Sequence, residues 1–255
     1  MEWIVATIVF GILFLLSLGY GFLWMTLSKK KEKEAYQKGG GDTFDWILKA
    51  GYEQRVQEFR LHNEKVEPGQ VVFVGDSLTE NFNLTECFPT SPYRLYNRGI
   101  GGDTTEGLKK RLRESVFDLS PKAIVLLIGI NDFALFPNAT PESVAASIQE
   151  VVKRIQTQLP KAKILLEALY PVHSTSDPKI DAGSVGNKNN ADILKTNEII
   201  AKIKGVHFLD LGPILRDEKG ELKLEYTREG LHLNATGYFA IVPTLEKAME
   251  EAMKE

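Results

Sequence analysis

Val71-Val72-Phe73-Val74-Gly75-Asp76-Ser77-Leu78 is the stretch whose reading decides the fold. Four apolar residues, three of them valine, stop at Gly-Asp-Ser. A short apolar run rich in β-branched residues reads as a strand buried on both faces. Gly75 and Asp76 end it, because both suit the turn that must follow. Ser77 then stands just past the carboxyl end of a central strand, where open parallel sheets hold their ligands. Taken alone, the tripeptide reads as a helix cap made by Asp76 or Ser77. The stretches around it turn the reading toward chemistry.

Four more strand-like runs follow: Tyr93 to Asn97, Ala123 to Ile130, Lys163 to Tyr170 and Val206 to Leu211. Helical patterns separate them, over Thr104 to Val116, Pro141 to Leu159 and Asn189 to Lys204, with a last helix from Ala235 capped by Asn234. Pro141 to Leu159 is the clearest. Thr140 is its cap, Pro141 fills the first helical position, and Val144, Ile148, Val151, Val152 and Ile155 fall on one face. Strands alternating with helices imply right-handed crossovers and a parallel sheet covered on both sides.

Upstream of the first strand the chain has a different character. Trp3 to Ser28 carries no charged residue. Roughly 20 apolar residues cross a bilayer, so residues 1–28 read as an uncleaved transmembrane anchor. Glu2 precedes the run where a signal peptide wants a basic residue, and Ser17-Leu18-Gly19 is a poor cleavage site. Lys29, Lys30, Lys31, Lys33 and Gly39-Gly40-Gly41 make residues 29–41 a basic, glycine-rich linker. Lysines after the apolar run and none before it place the rest of the chain in the cytoplasm. Residues 42–67 read as an amphipathic helix leading into a catalytic domain of residues 42–255, with Phe44, Ile47, Leu48, Tyr52, Val56 and Phe59 on its apolar face. A net charge of −3 gives no general drive toward nucleic acid, and a single cysteine, Cys87, excludes an internal disulfide. No histidine or cysteine cluster has zinc-site spacing, so no structural metal is expected. Oligomeric state is left open.

Three further stretches fall where strands should end. The second strand runs into Asn97-Arg98-Gly99-Ile100-Gly101-Gly102-Asp103, the third into Gly129-Ile130-Asn131-Asp132, and Glu229-Gly230-Leu231-His232 precedes the last helix. Together they supply the parts of an acyl-transfer site. Ser77 is a nucleophile if a base removes its proton. His232 is the candidate base, and Glu229 can orient its imidazole. The N–H groups of Ser77 and Gly102 and the Asn131 amide can form an oxyanion hole, with glycine at 102 because a side chain would obstruct the approaching carbonyl. Asp76, Phe133 and His173 are further candidates for touching substrate. Phe133, with Leu135 and Phe136, lines an acyl pocket or anchors its loop. His173, after Tyr170-Pro171-Val172, borders the pocket or is solvated.

These blocks resemble the GDSL or SGNH hydrolases, whose motifs are matched by Gly75-Asp76-Ser77-Leu78, the Gly99 to Gly102 run, Gly129-Ile130-Asn131-Asp132 and Gly230-Leu231-His232-Leu233-Asn234. The run Gly99 to Thr105 is similar to the platelet-activating-factor acetylhydrolase branch. The similarity spans about Gln70 to Ala240. It implies a flavodoxin-like α/β/α sandwich with a five-stranded parallel sheet. It also implies cofactor-free hydrolysis of an ester, with the alcohol, whether a lipid or lysophospholipid, an acetylated sugar or a small molecule, left open. Ser77 would be the nucleophile, Gly102 and Asn131 the oxyanion donors, and His232 the base. The family usually has Asp where Glu229 stands, which keeps the charge and adds a methylene. The alternatives are acyl transfer through the same residues and an inactive binding module on the same fold.

Overall fold

The computed structural model describes residues 49–254. The expected span of residues 1–28, the linker of residues 29–41 and the start of the amphipathic helix lie outside the described residues. Among those described, no helix is long and apolar enough to cross a membrane. The chain divides into two compact units, Met1–Glu53 and Gln54–Glu255. All that follows concerns the second.

Five strands form one parallel sheet: β1 (Val71–Gly75), β2 (Leu95–Gly99), β3 (Ala123–Leu127), β4 (Lys163–Glu167) and β5 (His207–Leu209), in the order β2-β1-β3-β4-β5. Every residue of β1 and β3 is buried, as continuous apolar runs in a covered parallel sheet should be. Gly75, the last residue of β1, pairs with Gly99 on one side and Leu127 on the other. The chain moves one way from β1 to β2 and the opposite way from β2 through β5. Right-handed crossovers therefore put α4 (Thr105–Ser115), α6 (Pro141–Gln158) and α8 (Asn190–Ile200) on one face. α6 packs between α4 and α8. The connection from β1 to β2 lies on the other face. There α10 (Ala235–Lys254) packs against β4, the one-turn helix α3 (Leu84–Cys87) and the one-turn helix α9 (Gly212–Leu215). Strand order thus reverses at β1. The crevice outside the carboxyl ends of β1 and β3 is where such a sheet takes its ligand.

Element ends differ from expectation in a regular way. β3 and β4 stop at Leu127 and Glu167, although apolar residues continue to Ile130 and Tyr170. Ile128, Ile130, Leu169 and Tyr170 are all buried, so the run records burial beyond the ladder. β2 starts and ends two residues later than its apolar pattern, because Arg98 and Gly99 pair with β1. The leading helix, α1, is described from residue 49 and ends at residue 63, well before Pro68. Asn63 stops it, donating to the Glu114 carbonyl and accepting from Arg98 Nη2. Further one-turn helices, α2 (Ser77–Glu80), α5 (Asp132–Leu135) and α7 (Ala182–Val185), are too short to show a period in sequence.

Candidate active site

Ser77 is the first residue of α2, and Asp76 caps it by accepting the Leu78 N–H at 2.9 Å. The Tyr238 hydroxyl of α10 donates to the Leu78 carbonyl at 2.7 Å, and the Tyr238 ring stacks on Phe82. The turn that carries the serine is therefore clamped from the helical layer behind it. His232 comes from the loop before α10. Its Nε2 lies 2.8 Å from Ser77 Oγ, and its Nδ1 lies 2.5 Å from Glu229 Oε1. The same glutamate oxygen accepts the His232 backbone N–H at 2.9 Å. The extra methylene of Glu229 is thus taken up in a ring closed on its own loop. That loop is fixed by Thr227, whose hydroxyl donates to the His232 carbonyl and accepts the Gly230 N–H. Gly230 has φ +107, and a Cβ there would meet the His173 carbonyl at 2.9 Å. Only glycine suits both conditions.

Gly102 sits in an exposed turn with φ +73. A Cβ there would meet no protein atom within 4 Å, so backbone conformation rather than crowding calls for glycine. No acceptor among the described residues takes its N–H. Asn131 opens α5 without capping it, and its Nδ2 donates to the Asp103 carbonyl at 3.0 Å. That bond holds one amide hydrogen and leaves the second for a ligand.

The remaining candidates are placed differently. Asp76 is 0 % exposed, so its carboxyl serves the turn and does not face the crevice. Burial pushes it up to about 7, and its Oδ2 has no partner. Phe133 is buried in the core and anchors its loop, while Leu135 and Phe136 project outward. His173 is neither solvated nor open to substrate, being 5 % exposed with both ring nitrogens occupied. Nδ1 donates to the Leu222 carbonyl at 2.7 Å, which leaves Nε2 to accept from Thr175 Oγ1 at 2.8 Å.

Sequence reasoning missed what ties these blocks together. Arg111 of α4 is fully buried. Its Nη2 donates to the Gly75 carbonyl, Nη1 to the Arg98 carbonyl, and Nε to Asp103 Oδ2, each within 2.8 Å. Asp103 in turn presents the carbonyl that holds Asn131. Asp132 accepts from the Thr105 N–H at 2.9 Å and from the Thr105 hydroxyl at 2.5 Å. An arginine in an amphipathic helix reads as solvated, so no signal in the sequence marks it as a hub.

A serine hydroxyl in reach of an imidazole, whose far nitrogen is held by a carboxylate, is an arrangement for activating a nucleophile. Known proteins agree on the class. Residues 73–240 match the model of the GDSL-like lipase/acylhydrolase family. The chain is 30 % identical over 200 residues to platelet-activating factor acetylhydrolase IB subunit alpha2 of Rattus norvegicus and of Homo sapiens, covering 77 % of this chain and 82 % of each relative. Among solved structures, a chain from Streptococcus pneumonia, provisionally described as a platelet activating factor, superposes with a TM-score of 0.73 at 27 % identity. It covers 82 % of this chain and 97 % of its own length. A GDSL-like lipase from Bacteroides thetaiotaomicron shares the fold at TM-score 0.62 and 23 % identity, over 77 % of this chain and 98 % of that one. With a family model spanning most of the second unit and relatives aligned along most of their own length, the chain belongs to the GDSL-like lipase/acylhydrolase family and is an ester-hydrolysing enzyme.

Proposed function

We propose that the protein is a membrane-anchored serine esterase that removes short acyl groups, acetyl first, from an alcohol. The observation that supports this most is the continuous hydrogen-bonded line from Ser77 Oγ through His232 to Glu229, at the edge where strand order reverses. Ser77 Oγ attacks the ester carbonyl carbon as its proton passes to His232 Nε2. Glu229 holds the Nδ1 proton and stabilises the imidazolium. The carbonyl oxygen, now an anion, receives hydrogen bonds from the N–H groups of Ser77 and Gly102 and from the free Asn131 amide hydrogen. Collapse expels the alcohol, which takes the proton from Nε2. Water, deprotonated by the same nitrogen, then releases the acid from Ser77.

Acetyl is proposed because the relatives at 30 % identity are named for acetyl hydrolysis. The alcohol is a lipid, a lysophospholipid or a sugar. A panel of acetyl, butyryl and octanoyl esters, run beside Ser77→Ala, tests the reading. Turnover should be fastest with acetyl and lost in the variant. Preference for octanoyl would overturn the acyl assignment, and full activity in Ser77→Ala would overturn the site.

The anchor is proposed from the uncharged run Trp3 to Ser28, with the catalytic unit on the cytoplasmic side of the lysines that follow. Full-length protein should sediment with membranes, and a form starting at residue 42 should not. Protease added outside intact cells should spare the catalytic unit. Its digestion would reverse the orientation.

A further inference from the structure

A cavity of about 290 Å³ lies beside the loop that carries Glu229 and His232, and the mechanism above does not use it. Its walls include Ser174, Thr175, Ser176, Val185 and Lys188. Two backbone bonds fasten it to the catalytic loop. The His173 N–H donates to the Gly230 carbonyl at 2.8 Å, and the Asp181 N–H donates to the Glu229 carbonyl at 2.9 Å. Val185 also packs on Gly230, since a Cβ there would come within 2.9 Å of its Cγ2.

Lys188 is the unusual wall residue. It is 6 % exposed, yet no carboxylate among the described residues lies within ion-pair distance of it. Its Nζ donates to the Ser184 carbonyl at 3.1 Å and the Val185 carbonyl at 3.4 Å. An ammonium has three hydrogens, so one remains unassigned. Burying a charge without a counter-charge is costly, and such a group beside a catalytic loop is a candidate for function. Burial holds Lys188 below the ordinary lysine range, while the Asp76 carboxyl next to the nucleophile pulls it back up. The one acid on the cavity wall, Asp177, has Oδ1 engaged by the Lys179 N–H.

We propose that this cavity is a subsite for an anionic group, a carboxylate or a phosphate, on the alcohol part of the ester, with Lys188 as its counter-charge. This rests on Ser77 and His232 acting as read above. In that reaction the leaving oxygen takes its proton from His232 Nε2, so the alcohol lies on the His232 side of the carbonyl. The cavity wall is fastened to the loop that presents His232, through the Glu229 and Gly230 carbonyls. Two of its wall hydroxyls are already engaged, Thr175 with His173 and Ser174 with Glu221, and Lys188 is the one ammonium among the described residues of the wall.

Three acetyl esters of flexible alcohols test this: 3-acetoxypropionate, 2-acetoxyethyl phosphate and the uncharged 2-methoxyethyl acetate. Each is assayed with the full-length protein, Lys188→Met, Lys188→Arg and Ser77→Ala. Loss of one charge-assisted contact should lower kcat/KM of Lys188→Met about tenfold or more for an anionic ester, with the neutral ester unchanged. Lys188→Arg should keep most of the preference. A fall confined to the carboxylate or to the phosphate identifies which anion the site takes. An equal fall on all three esters would make Lys188 only a brace for α7 and overturn the subsite, as would no preference for either anion in the unaltered protein. Failure of the underlying reading shows separately, as neutral-ester turnover that survives Ser77→Ala.

Discussion

Glu229 places one carboxylate oxygen on both the ring Nδ1 and the backbone N–H of His232. A glutamate so restrained fixes the imidazole tautomer as a shorter aspartate would. Replacing its charge should therefore matter more than shortening it. Glu229→Gln is expected to lower kcat by about 10² or more, because the amide favours the wrong tautomer. Glu229→Asp should keep much of the activity. A Gln variant with normal kcat would show that His232 is oriented without it. Asn131 is exposed to a sharper test. Oxyanion bonds strengthen as charge develops, so Asn131→Ala should lower kcat by about 10²–10³ with little change in KM. If Asn131 instead only braces the Asp103 carbonyl, the variant loses melting temperature, shifts KM and keeps kcat. The approach of His232 to Ser77 and Glu229 was legible in the sequence, because activating a hydroxyl demands those residue types, whereas Gly102 answers to a positive φ and not to the crowding expected there. The placements of His173 and Asp76 were not legible, because no pattern in the chain says which way a polar side chain faces.

At the scale of elements, α4 is the member that gathers the blocks. Arg111 reaches the last residue of β1, the end of β2 and the turn that holds Asn131. Arg111→Met leaves the Asp103 carboxylate buried without its partner and should cost about 3–5 kcal/mol in denaturant unfolding. Arg111→Met combined with Asp103→Leu should recover part of that, since no charge is then stranded. A double variant no more stable than the single one would show that the arginine acts through the carbonyls of Gly75 and Arg98 instead. The strands and long helices were readable because burial writes a period into them, and α6 was bounded to within a residue by Thr140 and Pro141. Strand ends were not readable, because Ile128 to Ile130 are as buried as the ladder before them. Bonds of Arg111 are made across sequence distances that no local pattern encodes.

For the whole molecule, the region behind Ser77 holds two acids whose carboxyls burial pushes up. Asp76 is pushed up to about 7, and Glu167, which accepts from the Tyr170 hydroxyl, to about 8. Their unfolded-state values are those of ordinary carboxyls, so the folded state binds protons that the unfolded state has released. The stability these groups contribute is full below about pH 4 and declines as pH rises toward 7 to 8. Asp76→Asn keeps the cap on Leu78 and removes one titration, so it should flatten that decline between pH 5 and 8, as followed by urea midpoints. An unchanged slope would mean that Asp76 ionises without penalty in the fold. In the proposed reaction Ser77 carries an acyl group from an alcohol to water. The most direct test is to quench the enzyme with acid during turnover of a 14C-acetyl ester and map the labelled peptide. Acetyl should be found on the peptide bearing Ser77, and none in Ser77→Ala. Label on another residue, or steady turnover in Ser77→Ala, would contradict the account.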